Sequence, residues 1–488
     1  MIFNSVTYLL FLSLVICLFW VLPQRARLWI ILCASMTFYG FWRPEFLVVL
    51  LVSACTDFFL AGRIEASADD QVRKRLLLVS LIINLGLLFY FKYLFFFLDN
   101  AVTTLQLFGF QEIQTPALNI ILPLGISFYT FQTIGYTVDV YRKFIRAEKD
   151  IVLYGCFVIF FPQLVAGPIL RGSELLGQLL AKPQFRLATF VSGLRRILYG
   201  LFLKVVLADN ISPLVDFGFY QPVTNLSAID VLTLAFLFGF QIYFDFAAYS
   251  HLAIGSARLM GISFPENFNF PYMASSPREF WRRWHISLSS WIRDYIYLPI
   301  LGAKVRDRSV DGLAVAVHQN GDNIRPPSVA LFLTWGIMGF WHGANWTFLM
   351  WGLFHATCVA IYRVIEIPGR TFPRAVRVIG GWSVTLPLMM LAWIPFRAQS
   401  VGAALEMYGK LFSVQEWLYL GMRENTYLVA GLLFVSMILA YGVNEYAGAM
   451  LRARRWLGFL GETVIIGTTV ALVFVFLRPI NQFIYFQF

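Results

Sequence analysis

The stretch at residues 331–362 reads LFLTWGIMGFWHGANWTFLMWGLFHATCVAIY and contains no acidic or basic residue other than His342 and His355. About 20 apolar residues are enough for a helix to cross a bilayer, so this stretch is longer than one ordinary span. The sequence therefore predicts membrane helix here, either strongly tilted or broken near residues 343–345.

The composition extends this prediction to the whole chain. Of the 488 residues, 59% are hydrophobic and 13% are charged, whereas soluble domains average roughly 25% charged residues. We find no internal repeat and no soluble domain, so we expect an all-α, polytopic integral membrane protein with a single domain over residues 1–488. Apolar runs predict complete or partial spans at residues 5–22, 28–42, 46–62, 76–98, 117–140, 151–170, 190–207, 229–250, 328–345, 346–362, 379–396, 426–444 and 460–477.

The placement of lysine and arginine predicts the orientation, because positively charged loops stay in the cytoplasm. The segments 63–75 and 141–150 each hold four such residues, whereas 99–118 and 208–228 hold none. This alternation predicts an outer N-terminus. The first apolar run lacks preceding positive charge, so we interpret it as an uncleaved anchor. The net charge of +11 then reflects topology, and we do not infer nucleic-acid binding from it.

The stretch FWRRWHISLSSWIRDYIYLP, residues 280–299, concentrates charge beside aromatic rings. Winding it as one helix gives an aromatic stripe and a separate polar stripe. One interpretation is an amphipathic helix at the membrane surface; the other is a set of arginines that bind a phosphorylated cofactor, with His285 over the reacting group. The aromatic stripe is Trp281, Trp284, Leu288, Trp291 and Tyr295, and the polar stripe is Arg282, His285, Ser289 and Arg293.

An ionisable side chain at membrane depth predicts function, because leaving it unpaired in hydrocarbon is costly. Burial favours the uncharged imidazole, so His342 is a candidate general base. Asn345 is expected to share its helix face. We interpret His355, which has few polar neighbours in sequence, as structural. The five histidines show no spacing typical of a metal site.

The sequence alone leaves the role of several other polar and helix-breaking residues undecided. Gln241 and Asp245 fall on one helix face, where they either line a cavity or bond across helices. Proline and glycine in ILPLGISFYTF and FFPQLVAGPILR predict broken or re-entrant helices. Residues 302–327 are rich in turn formers and predict a surface loop. The five cysteines all fall in apolar runs and predict core packing.

Five stretches together resemble the signature blocks of the membrane-bound O-acyltransferase (MBOAT) superfamily, and within it the subunits that acetylate alginate and other exopolysaccharides. They occur in the family's order between about Leu122 and Ala356. The stretches are LPLGISFYTFQTIGYTVDVYR, FFPQLVAGPILR, QIYFDFAAYSHLAIG, EFWRRWHISLSSWIRDYIYLPILG and GFWHGANWTFLMWGLFHA.

The resemblance implies a bundle of about a dozen transmembrane and re-entrant helices around a funnel or tunnel in a bacterial inner membrane. Its signature core would lie at about 117–362, between N-terminal helices at 1–98 and C-terminal helices at 379–477. His342 matches the family's catalytic histidine, and His285 matches its second active-site position. The resemblance also implies acetyl-CoA as a cytoplasmic donor, a hydroxyl acceptor reached from the periplasm, and association with periplasmic acetyl-transfer proteins and a polysaccharide synthase.

The mechanism that we expect places His342 as the base. Asn345 and His285 would bind the oxyanion or orient the acceptor, with Asp245 as further support. Arg282 and Arg293, with Trp284 and Ser289 beside them, are candidates for binding the donor. Whether a covalent acetyl-enzyme forms is open.

The sequence leaves open both the acceptor polymer and the reaction. Residues 301–327 and 247–251 depart from the alginate-type pattern, so cellulose, another exopolysaccharide or peptidoglycan remains open as the acceptor. D-alanyl transfer to teichoic acid would use the same blocks. A secondary transporter or a non-catalytic export subunit would also place polar groups in the membrane, although transporters favour internal repeats.

Overall fold

The computed structural model describes residues 1–308, 314–317, 327–369, 372–413, 417, 419–447, 455–477 and 483–484. Within these residues the regular secondary structure is helical, as predicted, except for one pair of short strands. The N-terminal part contains α1 (Val6–Val21), α2 (Gln24–Gly40), α3 (Phe46–Ala66), α4 (Asp70–Leu88), a π-helical turn (Phe89–Tyr93) and α5 (Leu94–Leu107).

The central part surrounds one long helix, α11 (Ala228–Leu259), which packs against α9 (Leu187–Leu201), α10 (Asp209–Phe219) and four later helices. Its elements are α6 (Ile126–Tyr141), α7 (Ile151–Ile159), α8 (Gly172–Leu180), α9 (Leu187–Leu201), a π-helical turn (Phe202–Ala208), α10 (Asp209–Phe219), a 3₁₀ turn (Val223–Asn225), α11 (Ala228–Leu259), a 3₁₀ turn (Pro271–Met273), α12 (Pro277–Arg283), α13 (Ile286–Ile292), a π-helical turn (Arg293–Tyr297) and α14 (Leu298–Leu301).

The C-terminal part begins with a helical hairpin and ends with an apolar helix. Its helices are α15 (Pro327–His342), α16 (Trp346–Gly369), α17 (Arg374–Leu391), α18 (Trp393–Arg397), α19 (Val401–Lys410), α20 (Glu424–Gly442) with a π-helical turn (Val443–Ala447), and α21 (Arg455–Val475).

Seven helical segments within the described residues are long and apolar enough to cross a membrane, which confirms a multi-pass protein. Shorter apolar helices lie at Val6–Val21 and Gly461–Val475. The seven segments are Phe46–Ala66, Asp70–Leu107, Leu187–Phe219, Ala228–Leu259, Trp346–Ile365, Arg374–Arg397 and Glu424–Glu445. The orientation stays a prediction.

Two predicted spans are only partly helical. The run at 117–140 becomes helix only at Ile126, and the run at 151–170 leaves the helix after Ile159. The non-helical parts touch each other, because a Cβ on Gly125, whose φ is 73°, would lie 2.6 Å from the carbonyl oxygen of Leu164. Only glycine readily combines that backbone conformation with such a close approach. The expected helix breaks are therefore confirmed.

The run at 331–362 forms a hairpin, not one tilted helix. α15 ends at His342 and α16 begins at Trp346. A Cβ on Gly339 or Gly352 would collide with backbone of the opposite helix, so these glycines let α15 and α16 pack closely. The break at 343–345 is confirmed. Asn345 does not share a helix face with His342, because the chain leaves the helix between them.

The predicted loop at 302–327 contains an antiparallel pair of strands, β1 (Lys304–Arg308) and β2 (Ala314–Val317), in which Lys304 pairs with Val317. Apart from these strands and Gly302, Ala303 and Pro327, that prediction lies outside the described residues. The cysteines are all described and form no disulfide. Cys17 and Cys33 are exposed on their helices, so core packing was wrong for these two.

Candidate active site

His342 lies at the C-terminal end of α15, in a nest of aromatic rings. Its side chain is buried, and its ring centroid is 4.9 Å from Trp341, 4.8 Å from Trp351 and 5.2 Å from Phe396. Gly343 follows the last helical residue, and a Cβ at that position would lie 2.1 Å from the ring of Phe348. The end of the helix therefore holds the imidazole in a fixed, largely apolar setting.

A cavity of about 620 Å³ has His342 in its wall. The cavity reaches the protein surface, since the exposed rings of Phe41 and Trp42 also line it. Residues 122–128, which comprise the non-helical entry to α6 and its first turn, form another wall. The remaining lining residues are Met1, Ile2, Ser5, Thr7, Lys92, Val165 and Trp341. The predicted topology would put this opening on the periplasmic side.

His285 lies at a break between α12 and α13, so the expected single helix over 280–297 is wrong. α12 ends at Arg283, and His285 has a left-handed backbone with φ of 42°. The tryptophans of the aromatic stripe are buried inside the protein, not at the lipid interface. His285 itself is fully buried beside Phe246, at a centroid distance of 4.6 Å.

Asn267, which the sequence did not single out, holds His285. Its Oδ1 accepts hydrogen bonds from the backbone N–H of Ser287 at 3.2 Å and from the Ser287 hydroxyl at 2.9 Å, and it lies 3.1 Å from His285 Nδ1. Because this oxygen can only accept, His285 Nδ1 carries the proton. The other ring nitrogen, Nε2, is buried and has no hydrogen-bond partner within the described part of the chain.

The protonation of His285 follows from this burial. Burial lowers the pKa of His285 to about 3, so the ring is uncharged at physiological pH. In that state Nε2 presents a lone pair. A group at this position can receive a proton or a hydrogen bond, but it cannot donate one to an oxyanion.

The histidines form a connected group through aromatic rings. His342 lies within electrostatic range of Lys92, His285 and His355. Phe128, in the cavity wall, packs 6.4 Å from the His285 ring and 5.7 Å from that of Trp341. The two predicted catalytic histidines are therefore brought to one region from separate parts of the chain.

Two residues of the π-helical turn after α4 hold the end of α15. Lys92 Nζ donates to the carbonyl oxygens of Trp341 at 2.6 Å and His342 at 3.0 Å, and the Tyr93 hydroxyl donates to that of Phe340 at 2.9 Å. The last carbonyls of a helix have no partner within it and attract positive charge. The sequence analysis missed Lys92, although a lysine inside an apolar run was a usable signal.

Comparison with known proteins identifies the family of the chain. The profile of the membrane-bound O-acyltransferase family, MBOAT, matches residues 146–315. The probable alginate O-acetylase AlgI of Azotobacter vinelandii is 36% identical over 91% of this chain and 86% of its own length. The chain is a membrane-bound O-acyltransferase.

Other relatives of this O-acyltransferase carry different names. The peptidoglycan O-acetyltransferase of Helicobacter pylori is 36% identical over 79% of this chain and 73% of its own length. The teichoic acid D-alanyltransferase of Streptococcus thermophilus is 30% identical over 49% of this chain and 56% of its own length. Family membership makes the chain an enzyme, so the transporter and export-subunit alternatives no longer apply.

Asn345 and Asp245, the two support residues predicted for this O-acyltransferase, both have structural partners. Asn345 Oδ1 accepts from the Thr347 N–H at 3.0 Å at the start of α16. Asp245 lies 2.7 Å from Lys204 Nζ and accepts from the Ile484 N–H at 2.6 Å. Neither lines the cavity that contains His342.

The candidate donor-binding residues do not line that cavity either. Arg282 is exposed, and Arg293 lies 3.8 Å from Asp294. Trp284 is buried against Phe280 and Trp393, and the Ser289 hydroxyl donates to the Trp284 carbonyl at 3.1 Å. Of the predicted site residues, all of which are described, only His342 lines this cavity. His285 is buried behind Phe128 and within electrostatic range of His342. Donor binding by Arg282, Arg293, Trp284 and Ser289 stays a prediction.

Proposed function

We propose that this O-acyltransferase moves acetyl groups from cytoplasmic acetyl-CoA to a hydroxyl acceptor on the periplasmic side, for O-acetylation of a bacterial exopolysaccharide of the alginate or cellulose type. The observation that carries the proposal is the position of His342, a buried imidazole in the wall of a 620 Å³ cavity that reaches the surface. Such a site can admit a hydroxyl group while keeping bulk water from the reaction.

In the proposed reaction His342 removes the proton of the acceptor hydroxyl as its oxygen attacks the thioester carbonyl. The new C–O bond forms, the C–S bond breaks, and coenzyme A leaves as a thiolate that takes up the proton from His342, which restores the uncharged imidazole. An uncharged imidazole is the form that this step needs. The apolar rings around His342 favour that form, since a charged ring there would lose its hydration.

His285 is assigned a different role from the one expected from sequence. Its Nδ1–H is bound to Asn267, so Nε2 accepts. We propose that Nε2 orients the acceptor hydroxyl or receives its proton in turn. Oxyanion stabilisation then falls to other N–H or O–H donors, and Asn345 is poorly placed because it does not line the cavity that contains His342.

The relatives support acetyl transfer in general and leave the polymer to experiment. The alginate-type relatives cover most of this chain, and the peptidoglycan-type relative makes peptidoglycan O-acetylation the second candidate. D-alanyl transfer is less well supported, because the teichoic acid D-alanyltransferase aligns with only 49% of the chain.

Periplasmic acetyl-transfer proteins and a polysaccharide synthase are the proposed partners. The proposed location is a bacterial inner membrane, with the N-terminus in the periplasm.

The test is thioester turnover by the purified protein with two donors, acetyl-CoA and a D-alanyl carrier-protein thioester. We expect release of free coenzyme A from acetyl-CoA and no turnover of the D-alanyl thioester. A His251→Asn variant should keep the turnover of acetyl-CoA, because His251 binds Arg196 away from the cavity. Turnover of the D-alanyl thioester alone would contradict the proposal.

A further inference from the structure

The N-terminus of α6 opens into the cavity that contains His342. Residues 122–128 line this cavity, and Gly125, the residue before the helix, has no side chain that could cap it. The glycine cannot easily be replaced by a capping residue, because a Cβ there would lie 2.6 Å from the Leu164 carbonyl oxygen. The first N–H groups of a helix have no partner within it and carry a partial positive charge. This end of α6 therefore presents positive potential to the cavity.

Ser127 supplies two hydrogen-bond donors at this helix end. The N–H groups of Ile126 and Phe128, on either side of it, have backbone acceptors at 3.2 and 2.9 Å. The Ser127 N–H has no acceptor among the described residues. The Ser127 hydroxyl has no partner in this part of the chain either, and its oxygen is not fully enclosed although the residue is only 9% exposed. Both donors are therefore available to a group that enters the cavity.

Three other polar side chains of the described lining are engaged or exposed. The Ser5 hydroxyl donates to a backbone carbonyl oxygen at 2.7 Å and caps α1. Thr7 is exposed. Lys92 donates to two carbonyl oxygens at the end of α15 and lies 5.9 Å from the centre of the Trp341 ring. Ser127 thus combines a sheltered position with donors that no described residue occupies.

We infer that the Ser127 hydroxyl and N–H stabilise the oxyanion that forms when the acceptor attacks the thioester carbonyl. This inference rests on the proposed function and supplies the donors that the reaction needs beside its base. As His342 removes the proton of the acceptor hydroxyl, negative charge develops on the carbonyl oxygen. When the C–S bond breaks, that charge passes to the sulfur and the carbonyl re-forms. A helix N-terminus with two free donors suits such an anionic oxygen.

The test measures the initial rate of thioester turnover by purified full-length variants, per folded molecule. Ser127→Ala removes the hydroxyl and keeps the N–H. We expect kcat to fall roughly 100-fold, as is typical for the loss of one oxyanion donor. The KM for acetyl-CoA should stay within about twofold, because the bond forms only in the transition state. Ser127→Thr keeps a hydroxyl and should recover much of the rate.

Thr130→Val is the matched control. Thr130 is buried on the same helix, three residues further along, and does not line the cavity. The change removes a hydroxyl without altering the end of α6, so the rate should stay near that of the wild type. An equal fall in Thr130→Val and Ser127→Ala would contradict the inference.

Three further results would overturn it. One is an unchanged kcat in Ser127→Ala. Another is a raised KM at unchanged kcat, which would make Ser127 a contact to the bound substrate only. The third is an acetyl group on Ser127, found by mass spectrometry after incubation of the wild type with acetyl-CoA, which would make Ser127 a nucleophile. This last measurement needs no variant to fold.

Failure of the proposed function gives a different result. It would appear in the wild type, as turnover of the D-alanyl thioester in place of acetyl-CoA. The Ser127 variants would then be compared on that thioester, because attack on its carbonyl produces the same oxyanion. The ratio of variant to wild-type kcat therefore decides the role of Ser127 with either donor.

Discussion

His342 and His355 lie on the two arms of one helical hairpin and share a neighbour, since the ring of Trp351 is 4.8 Å from each of them. Both are buried in apolar surroundings. His342 faces the cavity, whereas His355 is enclosed by Trp281, Trp335 and Trp351. Burial of an ionisable group in the membrane region is therefore not enough to identify a catalytic base. The two histidines differ in their access to the cavity, which borders His342 and not His355.

The hydrogen bonds made by the two residues show the same difference. Trp281 Nε1 donates to His355 Nδ1 at 3.4 Å, so His355 belongs to a packed cluster of rings. The backbone of His342 is held from outside its own hairpin, by Lys92. The first arrangement stabilises the hairpin, and the second fixes a side chain at a cavity. The following predictions test this comparison.

The largest effect is expected at His342. His342→Ala should lower acetyl transfer by roughly 100-fold or more, because general base catalysis typically contributes at least that factor. The measurement is the initial rate of coenzyme A release at equal amounts of folded, membrane-inserted protein. The melting temperature should fall less than in His355→Ala, since a cavity already borders the His342 ring. Wild-type rates in this variant would remove His342 from the mechanism.

A smaller, pH-dependent effect is expected at Asn267. Asn267→Asp keeps an acceptor for His285 Nδ1 but adds a negative charge, which raises the pKa of His285 from its value of about 3. The imidazole would then gain its proton at a higher pH, so the acid limb of the pH–rate profile should move upward. The rate at pH 5 should fall more than the rate at pH 8.

The matched control for Asn267 is Ser250→Ala, which removes the hydroxyl that accepts from Asn267 Nδ2 at 3.1 Å without adding charge. Its pH–rate profile should keep the wild-type shape. An unchanged profile in Asn267→Asp would show that the protonation of His285 does not control the rate.

The smallest effect on catalysis is expected at His355. His355→Ala should leave the rate per folded molecule within about threefold, well below the factor expected of a catalytic base. It should also lower the free energy of unfolding by about 2–4 kcal/mol, as cavities left by large buried side chains do. His355→Phe keeps a ring in the cluster and should recover part of that stability. A rate loss in His355→Ala as large as in His342→Ala would erase the distinction between the two histidines.

Much of this architecture was predictable because it depends on local composition. Long apolar runs predicted the membrane helices, and prolines and glycines predicted the helix breaks near Gly125 and Gly343. His342 could be singled out because an ionisable side chain in hydrocarbon is costly, and the structure places it in the cavity wall. Its catalytic role, suggested by the match to the family's signature blocks, stays a prediction.

The parts that escaped prediction depend on contacts between distant segments. One left-handed residue at His285 splits a helix while leaving the apolar periodicity of both halves intact, so the pattern still resembled a single helix. The hydrogen bond from His285 to Asn267 and those from Lys92 to α15 join residues far apart in sequence. No local pattern encodes such pairs.

Three of the π-helical turns carry a charge that is directed into the protein. Lys92 bonds to the end of α15, Lys204 pairs with Asp245, and Asp294 pairs with Arg171. A π-helical turn holds one residue more than an α-helical turn. Deleting a single residue from such a turn would restore regular winding and rotate one flank of the helix against the other by about 100°. The π-helical turns thus set the rotational register of the helix on either side of them. Deleting one residue there would turn an inward-facing charged side chain toward lipid, although the length and hydropathy of the helix would hardly change.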